Sequence, residues 1–448
     1  MRFEQLELRE LLTAQAPLIT DATPYSAAFV NGVYQDVLGR PADVGALNWF
    51  TELLDQGQST EIVPTALVNS NEYAANLVQA AYQQYLGRDA DPGAMKYWIS
   101  ALHAGVRDEQ LAAALVGSDE FYARAGGNDA DWIAAAYHAV LGRAADPSGL
   151  AWAGQQLAAG ASRDAIANGL TGGIEHEEQI VEAEFSHYLH LTLDGASASS
   201  WATQLSAGQT TIETIVVGML GTNSYYEAQT GVPPSIVPVP TTSSATIARN
   251  QQIEANAAQS NASVVFLGDS VTQMWQTNGS AVWAQDYAPL NAYNEGVGGD
   301  GTQNILWRIE NGDLNGLNPK VVVLMAGIND FPTFDTPQEV ADGVTAIVEE
   351  LRVRLPDTKI LVLGILPAVI AGAEGNFMPV ISETNQLIAG LADEQHVFFL
   401  NMWPAFTYAD GSFNPTLHIS DGLHLNQQGY AVWAQTMAPE LDYLLNSP

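Results

Sequence analysis

The spacing of hydrophobic residues divides the chain into two kinds of sequence. In the first part, apolar and aromatic residues recur along one face of a helix, and that face appears three times. Self-similarity of this kind predicts a helical repeat. The matching positions are Phe29, Val30, Val33, Tyr34, Val37 and Leu38; Leu77, Val78, Ala81, Tyr82, Tyr85 and Leu86; and Trp132, Ile133, Ala136, Tyr137, Val140 and Leu141.

Each copy continues with the turn L-G-R-x-A-D, at residues 38–43, 86–91 and 141–146. A glycine just past the last helical residue is typical of a C-cap, because it can adopt the left-handed conformation that ends a helix. A tryptophan (Trp49, Trp98, Trp152) then opens a second amphipathic helix. A fourth copy, from Glu184 to about Glu227, lacks the turn, as expected of an end-capping repeat.

This pattern resembles a bacterial domain of unknown function, an all-helical repeat commonly attached to secreted or surface proteins and similar in motif to phycobilisome linker segments. The resemblance covers about residues 25 to 228. The Arg and Asp of each turn could bind a cation or a glycan, or could pair with each other to fix the corner between helices. We favour the pairing, because repeated residues in a solenoid usually serve the repeat. We interpret this part as an attachment module with cell-surface or glycan contacts.

Four prolines between Gly231 and Ala245 predict a semi-rigid extended linker. We therefore expect an all-α repeat domain at 1–228, a linker rich in Pro, Ser and Thr at 229–248, and a second domain at 249–448.

In the second part, short apolar runs alternate with helical patterns, which predicts a parallel sheet covered on both faces by helices. The clearest helix spans 337–354, with Thr336 as its cap, Pro337 in its first turn and Glu339 completing a capping box. Its predicted buried stripe is Val340, Val344, Ile347, Val348 and Leu351. The predicted strands are 264–267, 290–293, 321–325, 360–365 and 397–400.

The first strand runs into a Gly-Asp-Ser corner followed by the start of a helix. A serine at this position is a candidate nucleophile, because the N–H groups at a helix start favour negative charge on its oxygen. The tripeptide alone is ordinary turn chemistry, so the assignment depends on residues further along the chain.

Three polar clusters follow later strands, where sites form in open parallel sheets. Gly299, in 294–300, can donate a backbone N–H to a reacting oxygen, and Asn329, in 326–330, can donate its side-chain amide. Asp421 precedes His424 by three residues, which allows the Asp to orient a His that takes a proton from serine. Each cluster taken separately could be a simple turn.

Taken together and in this order, these motifs resemble the SGNH/GDSL hydrolases, in particular the esterases of the platelet-activating-factor acetylhydrolase type, from about Ser263 to Leu445. The resemblance implies a flavodoxin-like five-stranded parallel sheet in an α/β/α domain. It also implies the nucleophile Ser270, the base His424 and its orienter Asp421, with an oxyanion hole formed by Ser270, Gly299 and Asn329.

The same resemblance makes Asp269, Asp300 and Asp330 residues that fix loops. His418 is a weaker rival for the base, because it lacks an Asp three residues earlier. Ile328 stands where many relatives carry a smaller or polar residue, which concerns substrate fit and not the chemistry.

Composition narrows the possible functions further. Asp and Glu total 50 against 15 Lys and Arg, a net charge of −35, which argues against nucleic-acid binding. Without cysteine there is neither a disulfide nor thiol catalysis. The first ten residues carry three glutamates and do not resemble a signal peptide, and no run is long enough to span a membrane. We expect a soluble, extracellular or cell-surface protein, with a cytoplasmic location left open.

The predicted function is hydrolysis of short acyl esters, above all O-acetyl groups on carbohydrate, without metal or cofactor. The expected partners are a small-molecule or polysaccharide ester and, through the repeats, a glycan or cell surface. Two alternatives stay open: a binding or adhesion protein with a vestigial hydrolase domain, and a lipase or thioesterase of the same family.

Overall fold

The computed structural model describes residues 24–241, 243–257, 261–331, 336–370 and 376–447. The N-terminal segment for which we predicted no signal peptide lies outside these residues. Internal contacts divide the chain into two compact units, one reaching Tyr225 and the other starting at Tyr226, with residues 52–58 grouped with the second. The predicted limits 1–228, 229–248 and 249–448 remain a prediction.

The first unit, called the repeat unit below, is all helical, and its last helix runs on into the second unit. Its helices are α1 Pro24–Leu38, α2 Val44–Asp55, α3 Ile62–Val68, α4 Asn71–Ala81 (extended by a π-helical turn, Tyr82–Leu86), α5 Pro92–His103, α6 Asp108–Gly117, α7 Asp119–Arg124, α8 Asp129–Leu141, α9 Pro147–Ala158, α10 Arg163–Thr171, α11 Ile174–Leu189, α12 Gly195–Ser206, α13 Ile212–Leu220 and α14 Asn223–Thr230. The predicted C-cap glycines have positive φ, for example 59° at Gly87.

The arginine of each repeated turn pairs with a glutamate 32 residues further on. In the first copy, Arg40 Nε and Nη2 donate to the two Glu72 oxygens at 2.6 and 2.7 Å. The predicted pairing within the turn occurs in the third copy, where Arg143 Nη1 lies 3.7 Å from Asp146 Oδ2. The turn aspartates also accept from the first N–H groups of the next helix, as Asp91 does from Gly93 and Ala94 at 2.9 Å. The arginine–glutamate ion pair with two parallel hydrogen bonds, called a fork below, therefore joins one copy to the next. The equivalent pairs are Arg88 with Glu120 and Arg143 with Glu175.

The fourth copy contacts the first. Tyr225 donates its hydroxyl to Asp36 at 2.6 Å, and Thr60 donates to the Gly221 carbonyl at 2.8 Å. The Tyr225 and Phe29 rings meet edge to face with centroids 6.0 Å apart. The last copy therefore joins the two ends of the array, where the sequence suggested that it caps a free end.

The second unit contains the five strands β1 Val264–Gly268, β2 Ala292–Gly296, β3 Val321–Met325, β4 Lys359–Leu363 and β5 Val397–Leu400. They form one parallel sheet in the order β2-β1-β3-β4-β5. The helices are α15 Ser244–Ala257, α16 Ser270–Gln273, α17 Ser280–Val282, α18 Thr302–Asn311, α19 Pro337–Arg354, α20 Met378–Ile388, α21 Trp403–Phe406 and α22 Gln427–Asn446. The predicted flavodoxin-like order is confirmed.

Alternate residues of each strand face opposite layers, which makes the unit an α/β/α sandwich. Val265 and Leu267 pack with the buried stripes of α18 and α19, and Val264 and Phe266 pack with Trp433 and its neighbours on α22. The predicted helix 337–354 is α19, with its cap and buried stripe as expected.

The second strand begins later than predicted. Leu290 ends a 3-10 turn and Asn291 adopts φ 51°, so the strand starts at Ala292 and continues through Asn294 and Glu295. Both polar side chains are buried. A buried strand that carries polar residues does not show the apolar run by which we recognised the other strands.

The proline-rich segment packs on the second unit. The Ser235 hydroxyl donates to the Glu339 carbonyl at 2.7 Å, and Asn304 donates its amide to the Val239 carbonyl at 3.0 Å. This part of the predicted linker is therefore fixed along α18 and α19.

A cluster of carboxyl groups shares one arginine inside the repeat unit. Glu177 is fully buried and Glu109 nearly so, and Arg107 Nη2 lies 2.7 Å from Glu109 and 3.3 Å from Glu177. Burial and the charge of Glu109, opposed by Arg107, raise the pKa of Glu177 to about 7. Burial and the same neighbour raise the pKa of Asp108. The cluster therefore holds protons that a free carboxyl group would lose.

We expect the repeat unit to lose stability as the pH rises from about 5 to about 8. The pKa of Glu177 is higher in the folded than in the unfolded state, so its contribution is complete below the unfolded value and is lost as the pH passes the folded value. The expected loss is about 1–3 kcal/mol, measured by hydrogen exchange of α11 in the full chain. Glu177→Gln should flatten this slope, whereas Glu120→Gln, at an exposed fork, should not. An unchanged slope in Glu177→Gln would contradict the assignment.

Candidate active site

Ser270 follows the inner strand β1, two residues beyond its last residue, and is the first residue of α16. The Asp269 carboxylate accepts from the Val271 N–H at 2.8 Å and so caps this helix. The apolar strand is buried in the sheet, while the cap turns the chain immediately after Gly268. The serine is thus presented at the carboxyl edge of the sheet, beside a helix N-terminus.

The structure brings Ser270, His424 and Asp421 into one hydrogen-bonded chain. His424 Nε2 is 2.8 Å from Ser270 Oγ, and His424 Nδ1 is 2.6 Å from Asp421 Oδ2. Asp421 Oδ1 also accepts from the Leu423 and His424 N–H groups at 2.9 Å. Burial opposes ionisation of Asp421, but these hydrogen bonds hold its pKa below the ordinary value. The carboxylate therefore stays charged and fixes one nitrogen of the imidazole.

A tight hairpin carries Asp421 and His424. Ile419 N–H donates to the His424 carbonyl at 2.8 Å, and Gly422 N–H donates to the Ile419 carbonyl at 3.1 Å. Gly422 has φ 70°, a conformation that favours glycine. Closure of this loop orients the His424 ring towards α16.

The predicted oxyanion donors lie in the loops that follow two other strands, β2 for Gly299 and β3 for Asn329. A Cβ atom at Gly298 would lie 3.6 Å from Ser270 Cβ, which shows how closely this loop approaches. Gly299 has φ 87°, and within the described residues its N–H has no acceptor. Asn329 Nδ2 donates to the Asp300 carbonyl at 2.9 Å, which orients the amide and leaves its second N–H available.

His418, the rival base, is turned away from this chain of hydrogen bonds. Its ring is buried, packs on Phe413 with centroids 4.6 Å apart, and places Nδ1 3.1 Å from the Asn414 carbonyl. Burial lowers its pKa. His418 is therefore a neutral core histidine that supports the hairpin.

Known proteins resemble this chain in both of its parts. The model of the GDSL-like lipase/acylhydrolase family matches residues 266–432, and a domain of unknown function, DUF4214, matches residues 20–77, 74–125 and 112–180. Platelet-activating factor acetylhydrolase IB subunit alpha1 of Homo sapiens is 38% identical over 169 residues, or 37% of this chain and 70% of that protein. The alpha2 subunit of Rattus norvegicus is 38% identical over 170 residues, or 38% and 71%.

The chain belongs to the GDSL-like lipase/acylhydrolase family. The resemblances drawn from the sequence are thereby confirmed for both parts. A GDSL-like lipase from Bacteroides thetaiotaomicron aligns with a TM-score of 0.35 and 16% identity, over 43% of this chain and 97% of that chain. The part from Tyr226 onwards, called the GDSL domain below, is an ester-hydrolysing serine hydrolase.

None of the described helices is long and apolar enough to cross a membrane. Across the same ranges, no three His, Asp or Glu side chains are grouped so that they could hold a metal ion.

Asp269, Asp300 and Asp330 are buried beneath the catalytic edge of the GDSL domain. Asp330 accepts from the Thr302 N–H at 3.0 Å, which ties the third strand end to the start of α18. Burial raises the pKa of Asp269 and of Asp330 to about 7, and that of Asp300 to about 6 despite an arginine beside it. Their contacts fix loops, as the family resemblance implied.

The arginine beside Asp300 is a residue to which the sequence analysis gave no role. Arg308 is fully buried, donates Nε to Asp300 at 2.7 Å and also pairs with Asp313. Its Nη2 lies 3.3 Å from the Glu295 carbonyl. Arg308 shares the buried face of α18 with Ile305 and Ile309, and a charged residue on an apolar stripe was the signal that could have revealed it.

We expect Arg308→Met to destabilise the GDSL domain by about 3–5 kcal/mol, because two buried carboxylates lose their partner. Denaturant unfolding of the full chain, followed on this domain, measures the loss. Arg354→Met provides a control, since its pair with Glu350 lies at the surface and is worth about 0–1 kcal/mol. Equal effects of the two substitutions would show that the buried network does not brace the loops.

Proposed function

We propose that the GDSL domain hydrolyses short-chain acyl esters, above all O-acetyl groups on carbohydrate, with Ser270 as the nucleophile. The observation that supports this most directly is the continuous chain of hydrogen bonds from Ser270 through His424 to Asp421. A base within reach of a serine hydroxyl, itself oriented by a carboxylate, is what acyl transfer to water requires.

In the proposed reaction, Ser270 Oγ attacks the ester carbonyl while His424 Nε2 takes the hydroxyl proton. The N–H groups of Ser270 and Gly299 and the Asn329 amide stabilise the negative charge on the carbonyl oxygen. His424 then passes the proton to the departing alcohol, and the acyl group stays on Ser270. A water molecule, deprotonated by His424, attacks the acyl-serine, releases the acid and restores the hydroxyl. Asp421 holds the Nδ1 proton and stabilises the charged imidazole throughout.

A small cavity lined by chain neighbours of Ser270, Asn329 and His424 supports a short acyl group. Its volume is about 10 Å³, the space of roughly one water molecule. A methyl group is of similar size, whereas a longer chain would have to displace packed side chains. The walls are apolar except for one residue and include direct neighbours of the proposed catalytic residues: Asp269, Val271, Met325, Ala326, Ile328, Ile365, Leu366 and Leu423.

We expect turnover of p-nitrophenyl esters to fall from acetate to butyrate and to be lowest for octanoate. Ser270→Ala should abolish hydrolysis of all three, whereas His396→Ala, at an exposed site, should leave it unchanged.

Asn329→Ala should lower kcat about 10²–10³-fold, since one oxyanion donor is lost. Ile328→Ala should shift the preference towards butyrate by enlarging the cavity. Optimal turnover of octanoate would favour the lipase alternative, and a well-folded but inactive wild type would favour the binding-protein alternative.

For the repeat unit, we propose attachment to a glycan or cell surface outside the cell, without a part in the chemistry. An aromatic side chain occurs six residues after the turn aspartate in three copies, at Trp49, Tyr97 and Trp152. Tyr97 is 64% exposed and Trp152 44% exposed. Exposed aromatic rings offer an apolar face together with a polar edge, which suits the mixed surface of a sugar.

We expect Tyr97→Ala combined with Trp152→Ala to weaken retention of the full chain on insoluble polysaccharide by about 10-fold or more, because two stacking surfaces are lost. Hydrolysis of p-nitrophenyl acetate should stay unchanged. Tyr408→Ala is the matched control, since this tyrosine is 47% exposed but lies in the GDSL domain. Loss of esterase activity in the double variant would contradict the proposal that the repeat unit takes no part in hydrolysis.

A further inference from the structure

A groove lined by uncharged residues lies in the GDSL domain, in addition to the small apolar cavity. Its volume is about 380 Å³, within the range of sites that bind small organic molecules. One wall is formed by Thr277, Asn278 and Ser280, and the other by Ile419, Asn426 and Gln427.

Both walls continue directly from segments that carry the proposed catalytic residues. The first wall follows the helical segment that begins at Ser270 and ends at Gln276. The second wall includes residues on either side of the Asp421–His424 hairpin. Asn278 Nδ2 donates to the Leu425 carbonyl at 2.9 Å and so joins the first wall to the residue after His424. Since successive Cα atoms are about 3.8 Å apart, the groove starts within roughly 8 Å of His424 along the chain.

The position of His424 determines which part of an ester would lie towards the groove. In acyl transfer the same imidazole that activates the serine returns the proton to the departing alcohol. The alcohol portion of the substrate therefore lies next to His424. The acyl portion has its own space in the cavity beside Ile328. The groove is thus placed for the alcohol portion.

The chemistry of the walls indicates what kind of alcohol this is. None of the residues that line the groove is charged, although the chain as a whole carries 50 Asp and Glu and 15 Lys and Arg residues. Asn426 uses its side chain to cap α22, with Oδ1 accepting from Gln428 and Gly429. The Thr277 hydroxyl donates to the Met274 carbonyl at 3.3 Å, whereas the Ser280 hydroxyl and the Gln427 amide make no hydrogen bond within the described residues.

Uncharged groups that both donate and accept hydrogen bonds suit a neutral ligand with several hydroxyl groups. A phosphate-bearing headgroup would need a cationic partner, and a long hydrocarbon would need apolar walls. On the basis of the function proposed above, we propose that this groove binds the alcohol portion of the ester and that this portion is a neutral saccharide unit.

The proposal is tested with the full chain on three acetyl esters: mono-O-acetylated glucose, p-nitrophenyl acetate and the acetyl ester of a glycerophosphocholine lipid. Ser280→Val and Gln427→Leu should each raise KM for acetylated glucose about 3- to 10-fold, as expected for a lost hydrogen bond, and leave p-nitrophenyl acetate within about 2-fold. Ala281→Trp, which obstructs the groove, should have a larger effect on the sugar ester alone. Gln386→Leu, on the exposed face of α20, is the matched control.

The outcomes separate this inference from the proposed function. If wild type hydrolyses p-nitrophenyl acetate but not acetylated glucose, or if the groove variants affect all three esters equally or none of them, the saccharide proposal is overturned while the esterase proposal stands. Selective loss of the lipid ester would also overturn it in favour of a headgroup site. Failure of wild type on every ester would overturn both proposals.

Discussion

The candidate site depends on the register of three parallel strands. Gly268 of β1 is paired with Gly296 of β2 and with Met325 of β3, so the three strands end at the same level of the sheet. Each strand then delivers a different polar group to one edge: the serine, the glycine loop and the asparagine. Arg308 secures this level from below, because it contacts Asp300 of the glycine loop and the carbonyl groups at the ends of β1 and β2. The proposed reaction requires this common level, because the serine oxygen has to reach the carbonyl carbon while the other two groups donate to the carbonyl oxygen.

The sequence was sufficient to predict the sheet and to propose a candidate site because the relevant signals are local. Apolar runs marked four of the strands, and short motifs at their ends marked Ser270, Gly299, Asn329 and the Asp421–His424 hairpin. What could not be predicted depends on tertiary contacts. The start of β2 was predicted too early, because the strand carries two buried polar residues, Asn294 and Glu295. Asn294 donates to the Thr272 carbonyl, and Glu295 is buried near charged residues from distant parts of the chain. The fork of Arg88 and Glu120 joins two copies, and spacing within one turn gives no information about such a pair.

Ion pairs have different roles in the two units. The forks between repeats are about 40% exposed, so water screens them and each adds little to the free energy of unfolding. Their regular placement, with the arginine also over a tyrosine ring of its own copy, instead sets the position of one copy relative to the next. In the GDSL domain, Arg308 and its two carboxylates are fully buried. Loss of either partner would leave a buried charge without a counter-charge, because no water can replace the missing group, and the domain would lose stability.

Contact between the fourth repeat and the first has a consequence for how such a domain can change in evolution. An open array of repeats can gain or lose a copy at either end with limited effect on the remainder. Here Tyr225 and Asp36 complete a circuit, and insertion or deletion of one copy would separate them. The contact between the first and fourth copies therefore fixes the number of copies. Sequence change in the repeat unit is then confined to residues on its outer surface.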